Sequence, residues 1–204
     1  MSKNRLKSKK RKKEILQTTL AIIYNEGFYN LTIRNIARKI GISEAAIYRH
    51  FKSKKEIINT LADWVFSESQ LWQIKCNNNN YYQTLRAIML KLLNHLKDNP
   101  EFTSILFHEE IFREYPEIRE KFNHHRLQNE KHIIDIIKKG QNKGVFALNV
   151  TPHIFALLYM GSIRITVLRW RNSSDKISSE ETVNEITKEL FKILNPGNIK
   201  EAKS

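Results

Sequence analysis

Residues 43–52 read Ser-Glu-Ala-Ala-Ile-Tyr-Arg-His-Phe-Lys and combine hydroxyl, cationic and small side chains. Ile47 and Phe51 are four residues apart, so in a helix they share one face and can point inward. The opposite face then presents four residues: Ala45, Tyr48, Arg49 and Lys52. Arginine and lysine bind phosphate or guanine, and a tyrosine hydroxyl hydrogen-bonds phosphate. The pattern therefore predicts a short helix whose outer face binds duplex DNA.

The start of the same helix offers a second set of contacts. Ser43 is a typical N-cap residue, and both it and Glu44 then lie at the exposed end of the helix. The small side chains of Ala45 and Ala46 allow close approach to base edges or to a thymine methyl group. Glu44 has two interpretations that stay open: it accepts a hydrogen bond from cytosine N4, or it stabilises the positive end of the helix dipole.

A histidine-rich middle segment raises the alternative of a metal-dependent enzyme. Its potential ligands are His108, Glu109, Glu110, His124, His125 and His132. His125 and His132 are two helical turns apart, but Lys121 lies one turn before His125 and would oppose a cation. The zinc motif HExxH is not formed, because Phe112 stands where the second histidine belongs. Without a glycine-rich phosphate loop or a nucleophile elbow either, we predict no catalytic residues, no metal site and no cofactor.

Strong local signals surround the short helix. Thr32 can cap a preceding helix, which Gly41 ends, and Ser43 begins the next one. Ser53 and Glu56 have the spacing of a capping box, which predicts a further helix from that point. Two helices separated only by Gly41 and one further residue must cross at a large angle. This is the helix-turn-helix arrangement, in which the second helix enters the major groove.

The overall composition favours long helices. Among 204 residues, 41% are hydrophobic and 27% charged, with only 6 glycines and 4 prolines. So few chain breakers argue against a turn-rich β-protein. The single cysteine, Cys76, excludes a disulfide framework and fits a reducing cytoplasm. No apolar run approaches about 18 residues and no signal-peptide core follows the charged start, so we expect a cytoplasmic protein with no membrane partner.

The positive charge is concentrated at the start of the chain. Residues 1–60 hold 15 Lys and Arg against 4 Asp and Glu, which gives this segment a net charge of 15 − 4 = +11. The net charge of the whole chain is +14, so most of it lies in these residues. A basic segment of this kind favours a polyanionic partner, because neutralised phosphates release their condensed counterions. A simple solubility tail is the other interpretation of the basic run Lys3–Lys13.

The stretch LTIRNIARKIGISEAAIYRHFKSKKEIINTL, residues 31–61, resembles the DNA-binding domain of TetR/AcrR-type transcriptional regulators. The preceding KKEILQTTLAIIYNEGFYNLT resembles the first helix of that family. The resemblance implies an all-α homodimer: an N-terminal three-helix helix-turn-helix domain and a C-terminal helical domain for ligand binding and dimerisation, with about nine helices.

The resemblance also implies roles for individual residues. Matched by motif position, the DNA contacts are Thr32, Arg34, Ser43, Glu44, Ala45, Ala46, Tyr48, Arg49, His50 and Lys54. With Lys52, predicted from the helix face, these form the predicted DNA-binding set. The basic arm Lys9–Lys13 is expected to reach the minor groove or neighbouring phosphates.

Two late helices carry apolar stripes that predict a dimer interface. One stripe consists of Ile154, Leu157, Leu158, Gly161, Ile165 and Leu168, and the other of Val183, Ile186, Leu190 and Ile193. In the family such a pair packs against its two-fold mate as a four-helix bundle. The alternative is that both stripes serve only the chain's own core.

Aromatic side chains in the C-terminal part predict a pocket for a small-molecule effector of unknown identity. The candidates are Trp64, Phe102, Phe107, Phe112, Phe155, Tyr159 and Arg164, with plain core packing as the alternative for the aromatic ones. Arg164 pairs either with an acidic ligand or, as we favour, with Glu109 or Glu110.

The predicted organisation is a disordered basic arm over 1–9, a DNA-binding domain over 10–55, a ligand and dimerisation domain over 56–198, and a flexible tail over 199–204. A helix is predicted from Glu101 to Arg113, and a loop between Gly140 and Gly144. Ile163–Val167 alternate like a strand, but we assign them to a helix begun by Thr151-Pro152. We predict a ligand-responsive dimeric repressor; the alternative within DNA binding is a nucleoid-occlusion factor.

Overall fold

The computed structural model describes residues 3–68, 72–76, 80–107, 112–171 and 178–195. In these ranges the regular structure is helical throughout, which confirms the predicted all-α class. The α-helices are α1 Lys3–Glu26, α2 Ile33–Ile40, α3 Glu44–Tyr48, α4 Lys54–Glu68, α5 Tyr81–Asp98, α6 Thr103–Leu106, α7 Pro116–Asn142, α8 Pro152–Arg171 and α9 Ser179–Leu194. Short 3-10 helices span Phe28–Asn30 and Pro100–Phe102.

The chain divides into two compact units. Unit 1 comprises Met1–Glu68 and Pro100–Phe122, and unit 2 comprises Ser69–Asn99 and Asn123–Ser204. This division differs from the predicted boundary after residue 55, because α4 packs against both α1 and α6 inside unit 1. The predicted tail over 199–204 lies outside the described residues.

Unit 1 is built on the inner face of α1. Ile15, Leu20 and Ile22 are buried there, as are Ile36 of α2 and Ile57 of α4. At the end of α1, the Glu26 carboxylate accepts from Lys39 Nζ at 2.5 Å and from Asn35 Nδ2 at 3.0 Å. The hydrogen bond from Lys39 is the largest cause that lowers the pKa of Glu26. These contacts attach the exposed side of α2 to α1.

Helix α1 begins earlier than the sequence patterns suggested. Residues 3–9 are helical rather than a disordered arm. Lysine and arginine are good helix formers, and neither glycine nor proline interrupts the segment Lys3–Lys13, so the helix extends to Lys3. Lys7, Lys9 and Lys10 are therefore held on a regular helical surface.

Two other predicted boundaries were wrong. The predicted helix Glu101–Arg113 is replaced in part by a 3-10 turn and the four-residue α6, and Arg113 lies in a turn. Gly140 does not open a loop, because α7 continues to Asn142. The ring of Phe146 packs where a side chain at Gly140 would lie, so this glycine permits a close approach within the helix.

The turn between α2 and α3 depends on a left-handed glycine. Gly41 has φ 76° and ψ 37°, a conformation that costs other L-residues energy. Its N–H and that of Ile42 both bond the carbonyl of Ala37, at 2.9 and 3.0 Å, and the Gly41 N–H also reaches Arg38 O at 3.3 Å. These bonds form a Schellman motif, which satisfies the last carbonyls of α2 and directs the chain into α3.

Replacing Gly41 by alanine is expected to destabilise the protein by about 1–2 kcal/mol, since nothing but backbone conformation opposes the new methyl group. Thermal unfolding followed by circular dichroism should show a melting temperature lower by about 2–8 °C. Gly41→Asn is the matched control, because asparagine tolerates the left-handed region and should retain more stability. Equal stability of the alanine and wild-type proteins would contradict this role.

Unit 2 contains most of α7, with α8 and α9 both packed on α5. Tyr159 of α8 is fully buried, and its hydroxyl donates to the carbonyl oxygen of Leu85 at 2.6 Å. Burial raises the pKa of this tyrosine well above its ordinary value. Ile163 and Val167 are buried on the same helix, which confirms the helical assignment of that strand-like stretch. No helix in the described ranges is both long and apolar enough to span a bilayer.

Candidate nucleic-acid interface

Helix α3 is anchored through one face only. Ile47 is fully buried and Phe51, just beyond the helix, is nearly so, as their spacing predicted. The helix occupies Glu44–Tyr48 and is followed by a turn through Arg49 and His50. Buried anchors on one side leave the other side of the segment facing solvent.

The capping residues Thr32, Ser43 and Ser53 occupy their predicted positions. Thr32 Oγ1 accepts from Asn35 N at 3.0 Å, and Ser43 Oγ accepts from Ala46 N at 3.2 Å. Each hydroxyl is exposed and keeps its own hydrogen, which it can donate to a phosphate oxygen. The caps therefore both start the helices and place potential phosphate donors at their exposed ends.

The outer face of α3 is open. Ala45, Arg49 and Lys52 are exposed, and Tyr48 is 52% exposed despite its large ring. No carboxylate pairs with Arg49 or Lys52 in the described part of the chain. Glu44 is exposed in the first turn and has no ion-pair partner there either, so both of its interpretations remain predictions.

Ala46 and His50 are half-buried, unlike the other members of the predicted set on this segment. Ala46 has less open surface for a base than Ala45. The pKa of His50 is lowered, first by burial and then by the nearby charges of Lys12, Arg11 and Arg49. His50 is therefore predominantly neutral near pH 7 in the free protein.

The predicted capping box before α4 is complete. Ser53 Oγ accepts from Glu56 N at 3.1 Å, and Glu56 Oε2 accepts from Lys52 N at 2.6 Å. The ammonium of Lys54 lies 5.3 Å from the centre of the Phe28 ring, a cation–π contact. The box fixes the chain directions on either side of Lys52, while the phosphate contact predicted for Lys54 stays a prediction.

Arg34 completes the exposed polar surface contributed by α2, together with its cap Thr32. Both lie in the first turn region of that helix. Backbone N–H groups at a helix start attract anions, which adds to the cationic side chains nearby. The exposed sides of α2 and α3 thus have the chemistry that duplex DNA requires.

The predicted pocket residues fall into both compact units. In unit 1, Trp64 packs edge-on against Phe102 at 5.4 Å, and Phe112 stacks on Phe122 at 5.2 Å. In unit 2, Phe155 stacks on Tyr159 at 6.3 Å between ring centroids. Phe107 is half-buried and Arg164 exposed; the proposed partners of Arg164, Glu109 and Glu110, lie outside the described residues. These contacts are those of core packing, and the effector pocket remains a prediction.

The predicted dimer stripe on α8 is an exposed apolar face. Its exposed members are Ile154, Leu157, Leu158 and Ile165, with Gly161 and Leu168 half-buried. On α9, Ile193 is exposed and Ile186 and Leu190 are half-buried. Val183 was wrongly placed in this set, because it is fully buried in the chain's own core and cannot meet a partner. Packing of α9 on α5 rotates this position inward.

The histidines of the middle segment do not assemble a metal site in the described ranges. His124 and His125 have ring centroids 6.3 Å apart, and His132 Nε2 lies 3.2 Å from the Ile74 carbonyl oxygen. No group of three His, Cys, Asp or Glu there could hold a metal ion. His108, Glu109 and Glu110 lie outside these ranges.

Sequence reasoning missed Lys7 and Ser8. Both lie beside His50 in a groove that exists only because α1 continues through residues that were expected to be disordered. The uninterrupted run of helix-forming residues was the signal that could have revealed them.

The fold and this surface define a helix-turn-helix DNA-binding protein. The family model "Bacterial regulatory proteins, tetR family" matches residues 15–61, and "Tetracyclin repressor-like, C-terminal domain" matches residues 78–194. The chain therefore belongs to the TetR family and is a DNA-binding transcriptional regulator, as its residues 31–61 indicated.

Similar proteins extend over most of the chain. The nucleoid occlusion factor SlmA of Vibrio cholerae is 27% identical over 169 residues, which is 81% of this chain and 86% of SlmA. The regulator PfmR of Thermus thermophilus shares the fold with a TM-score of 0.73 and 20% identity, covering 89% of this chain and 98% of PfmR. FadR of Bacillus subtilis, solved with stearoyl-CoA, has a TM-score of 0.67 and 18% identity, covering 89% and 98%.

Proposed function

We propose that this protein is a ligand-responsive repressor that binds a quasi-palindromic operator as a homodimer in the bacterial or archaeal cytoplasm. The observation that carries the proposal is the outer face of α3, where Tyr48, Arg49 and Lys52 are exposed beside a buried hydrophobic anchor. Five residues of helix reach few base pairs, so one copy reads only a short half-site. A two-fold pair separated by about one turn of DNA, ~34 Å, would supply the rest.

The exposed apolar face of α8 supports the dimer. Four large aliphatic side chains, Ile154, Leu157, Leu158 and Ile165, lie on one side of this helix in contact with solvent. A contiguous apolar face on a soluble chain favours association, and a helix pair of this kind can form a four-helix bundle with its mate. The interface would be isologous, with the same residues contributed by each copy.

Control by a small molecule is the second part of the proposal. Phe155 and Tyr159 are buried and stacked on each other in unit 2, and small-molecule sites are lined mainly by apolar and aromatic side chains of this kind. An effector that binds one of two states more tightly shifts the population toward it. If the two DNA-binding domains of the dimer are out of register with the major groove in that state, effector binding causes the protein to release the operator. Mass spectrometry of small molecules that copurify with the protein would identify the effector.

A salt titration tests DNA binding directly. For a 30-bp duplex bearing the operator selected from a random library, the dissociation constant is expected to rise about 10³-fold or more between 50 and 200 mM salt, as it does when six or more phosphates are neutralised. Fluorescence anisotropy at fixed pH provides the measurement. A metal-dependent enzyme without a DNA site would show no such slope, so undetectable binding at 50 mM salt would reject the proposal.

A nucleoid-occlusion role is the second candidate function. It is favoured by the relatives named nucleoid occlusion factor, one of which is 27% identical over 81% of this chain. Mapping of binding sites across the chromosome separates the two roles. A repressor should occupy a few promoters and raise their transcripts when deleted, whereas an occlusion factor should occupy many dispersed sites, and its loss should permit division across the nucleoid.

A further inference from the structure

A network of polar side chains fastens the start of α2 to the end of α1. Asn35, in the first turn of α2, commits its whole side-chain amide to this network. Its Nδ2 donates to Glu26 Oε2 and to the carbonyl oxygen of Asn30, each at 3.0 Å, and its Oδ1 accepts from Arg38 Nη2 at 2.9 Å. An asparagine amide has two hydrogens to donate and one accepting oxygen, so every polar group of this side chain has a partner. The amide is therefore held in one orientation.

Glu26 completes the network from the side of α1. Its Oε1 pairs with Lys39 Nζ at 2.5 Å while its Oε2 accepts from Asn35, so both carboxylate oxygens have partners on α2. The hydrogen bonds from Lys39 and then from Asn35 are the largest causes that lower the pKa of Glu26. Glu26 and Asn35 are half-buried and Lys39 is exposed. Partly exposed polar contacts, in addition to the core, therefore fix the start of α2 on α1.

The same turn of α2 is continuous with both exposed helices of the predicted interface. Asn35 N donates to Thr32 Oγ1 at 3.0 Å, so the backbone of Asn35 holds the cap while its side chain holds α1. Arg34, which is exposed, immediately precedes Asn35. At the other end of α2, the Gly41 turn leads directly into α3. A shift at the start of α2 would therefore move α2 and α3 together relative to α1.

We propose that Asn35 and Glu26 are positioning residues for operator recognition: they hold α2 and α3 in the orientation that reads one particular sequence. They act through the position of these helices and not through contact with DNA. The inference rests on the proposed DNA-binding function of α3. Base edges are read only from a fixed approach of the helix, whereas phosphate contacts carry no sequence information. Loss of the network should therefore lower the preference for the operator more than the general attraction to DNA.

Asn35→Asp tests the network without removing an atom from the side chain. The new carboxylate has no hydrogen to donate and would face the carboxylate of Glu26 and the carbonyl of Asn30. Helix α2 itself should tolerate the change, because an acidic side chain in the first turn is favoured by the helix dipole. The dissociation constant for the selected operator is expected to rise about tenfold or more, as when one base contact is lost. Fluorescence anisotropy measures it beside that for a 30-bp duplex of arbitrary sequence, which should change about twofold.

Asn25→Asp is the matched control, because it makes the same substitution one residue before Glu26. Asn25 Nδ2 donates to Ala21 O at 2.9 Å inside α1, and in the described ranges its side chain joins no second segment. The control adds the same negative charge at the same end of α1 and should weaken binding to both duplexes alike, by about twofold. If Asn25→Asp and Asn35→Asp change the ratio of the two affinities equally, only charge is at work and the positioning role is overturned.

Glu26→Gln separates position from charge by the sign of its effect. It removes a negative charge from a basic segment, so electrostatics alone would tighten binding to every duplex. The amide, however, replaces one accepting oxygen by an NH2 group, so Asn35 or Lys39 loses its acceptor. Operator binding is therefore expected to weaken about fivefold, as for the loss of one hydrogen bond, despite the added positive charge. Tighter binding to the operator would contradict the proposal.

The double variant Glu26→Gln/Asn35→Asp provides a rescue. It exchanges donor and acceptor, since the amide on α1 can now donate to the carboxylate on α2, and the net charge stays at +14. Because residues in contact do not act additively, operator affinity is expected to return to within about threefold of wild type. Losses that multiply in the double variant would mean that the two side chains act separately, and the proposal would fail.

NMR reports on the network in the folded protein. The side-chain amide hydrogens of Asn35 should exchange with solvent more slowly than those of Asn25, and equal exchange would overturn the network. Circular dichroism checks that each variant is folded, and Glu26→Gln, which leaves α2 unaltered, decides the question if Asn35→Asp unfolds. If wild-type protein binds neither duplex, the proposed DNA-binding function itself fails. An operator preference that Asn35→Asp retains in full rejects only the positioning role.

Discussion

Replacing Arg49 by alanine is expected to weaken binding to the selected operator by at least about thirtyfold. The side chain is exposed next to Tyr48 and has no carboxylate partner in the described ranges, so its guanidinium is available to phosphate or guanine. Loss of one such contact costs about 1–3 kcal/mol, and a symmetric dimer loses it twice. Anisotropy titrations against the operator and against an unrelated duplex measure both the loss and any change in specificity.

The control for this prediction removes one arginine elsewhere. Arg126 lies on α7, and in the described ranges its ion pair is a long one, 3.6 Å between its Nη1 and Glu130 Oε2. Arg126→Ala removes one positive charge, as Arg49→Ala does. It should leave operator affinity within about twofold, since exposed pairs contribute little. If Arg49→Ala binds the operator as well as Arg126→Ala does, α3 is not the reading helix. Both variants should remain dimers.

Substitution of Leu157 by glutamate is expected to dissociate the dimer. Leu157 is 59% exposed in the single chain, and burial of a leucine in an interface contributes about 1.5–3 kcal/mol. Two-fold symmetry places two new carboxylates in the interface, and each would have to be buried without a partner. The dimer dissociation constant should rise about 10³-fold or more, and light scattering should report a mass near the single-chain value of 24.2 kDa.

Leu127 provides the matched control for the interface. It is 55% exposed, on α7 rather than on the α8 face, so Leu127→Glu makes the same chemical change outside the proposed contact. That variant should stay dimeric. Monomeric Leu157→Glu protein should also lose most of its operator affinity, because each copy then reads one half-site alone. A wild-type protein that is already monomeric at micromolar concentration would refute the interface.

The two sets of variants test separate requirements of the same function. Arg49→Ala should remove the contact to DNA from an intact dimer, whereas Leu157→Glu should remove the pairing from intact heads. Loss of the dimer in Arg49→Ala, or a lower melting temperature with loss of helix signal in Leu157→Glu, would mean that unfolding, rather than the named contact, explains the result. Unfolding curves for both proteins therefore accompany the binding measurements.

Local patterns determined the DNA-binding end of this protein. The caps at Thr32 and Ser43, the capping box at Ser53, and the turn at Gly41 all depend on interactions within a few residues. Such interactions join residues that are close together in the sequence, so the sequence alone located α2, α3 and the start of α4. The same spacing identified Ile47 as the buried anchor and Tyr48 as an outward residue.

Tertiary packing decided what periodicity left ambiguous. The stripe on α9 contained Val183 and Ile193 alike, yet Val183 is buried and Ile193 exposed, since only contact with α5 selects the inner side. Likewise, the aromatic residues expected to line one pocket separate into distinct ring contacts in two units. An apolar stripe indicates that one face of a helix is shielded from water, but it does not indicate which neighbouring element covers that face.

The sequence by itself predicted an all-helical DNA-binding chain and the outward side chains of α3, because capping and turn formation are local. Only the tertiary structure brought Lys7 and Lys10 of α1 beside His50, which lies forty or more positions away in the sequence. That juxtaposition depends on how far α1 extends and on how the segment after α3 packs beside it. Neither can be read from residue spacing, because both are set by contacts between segments distant in the chain.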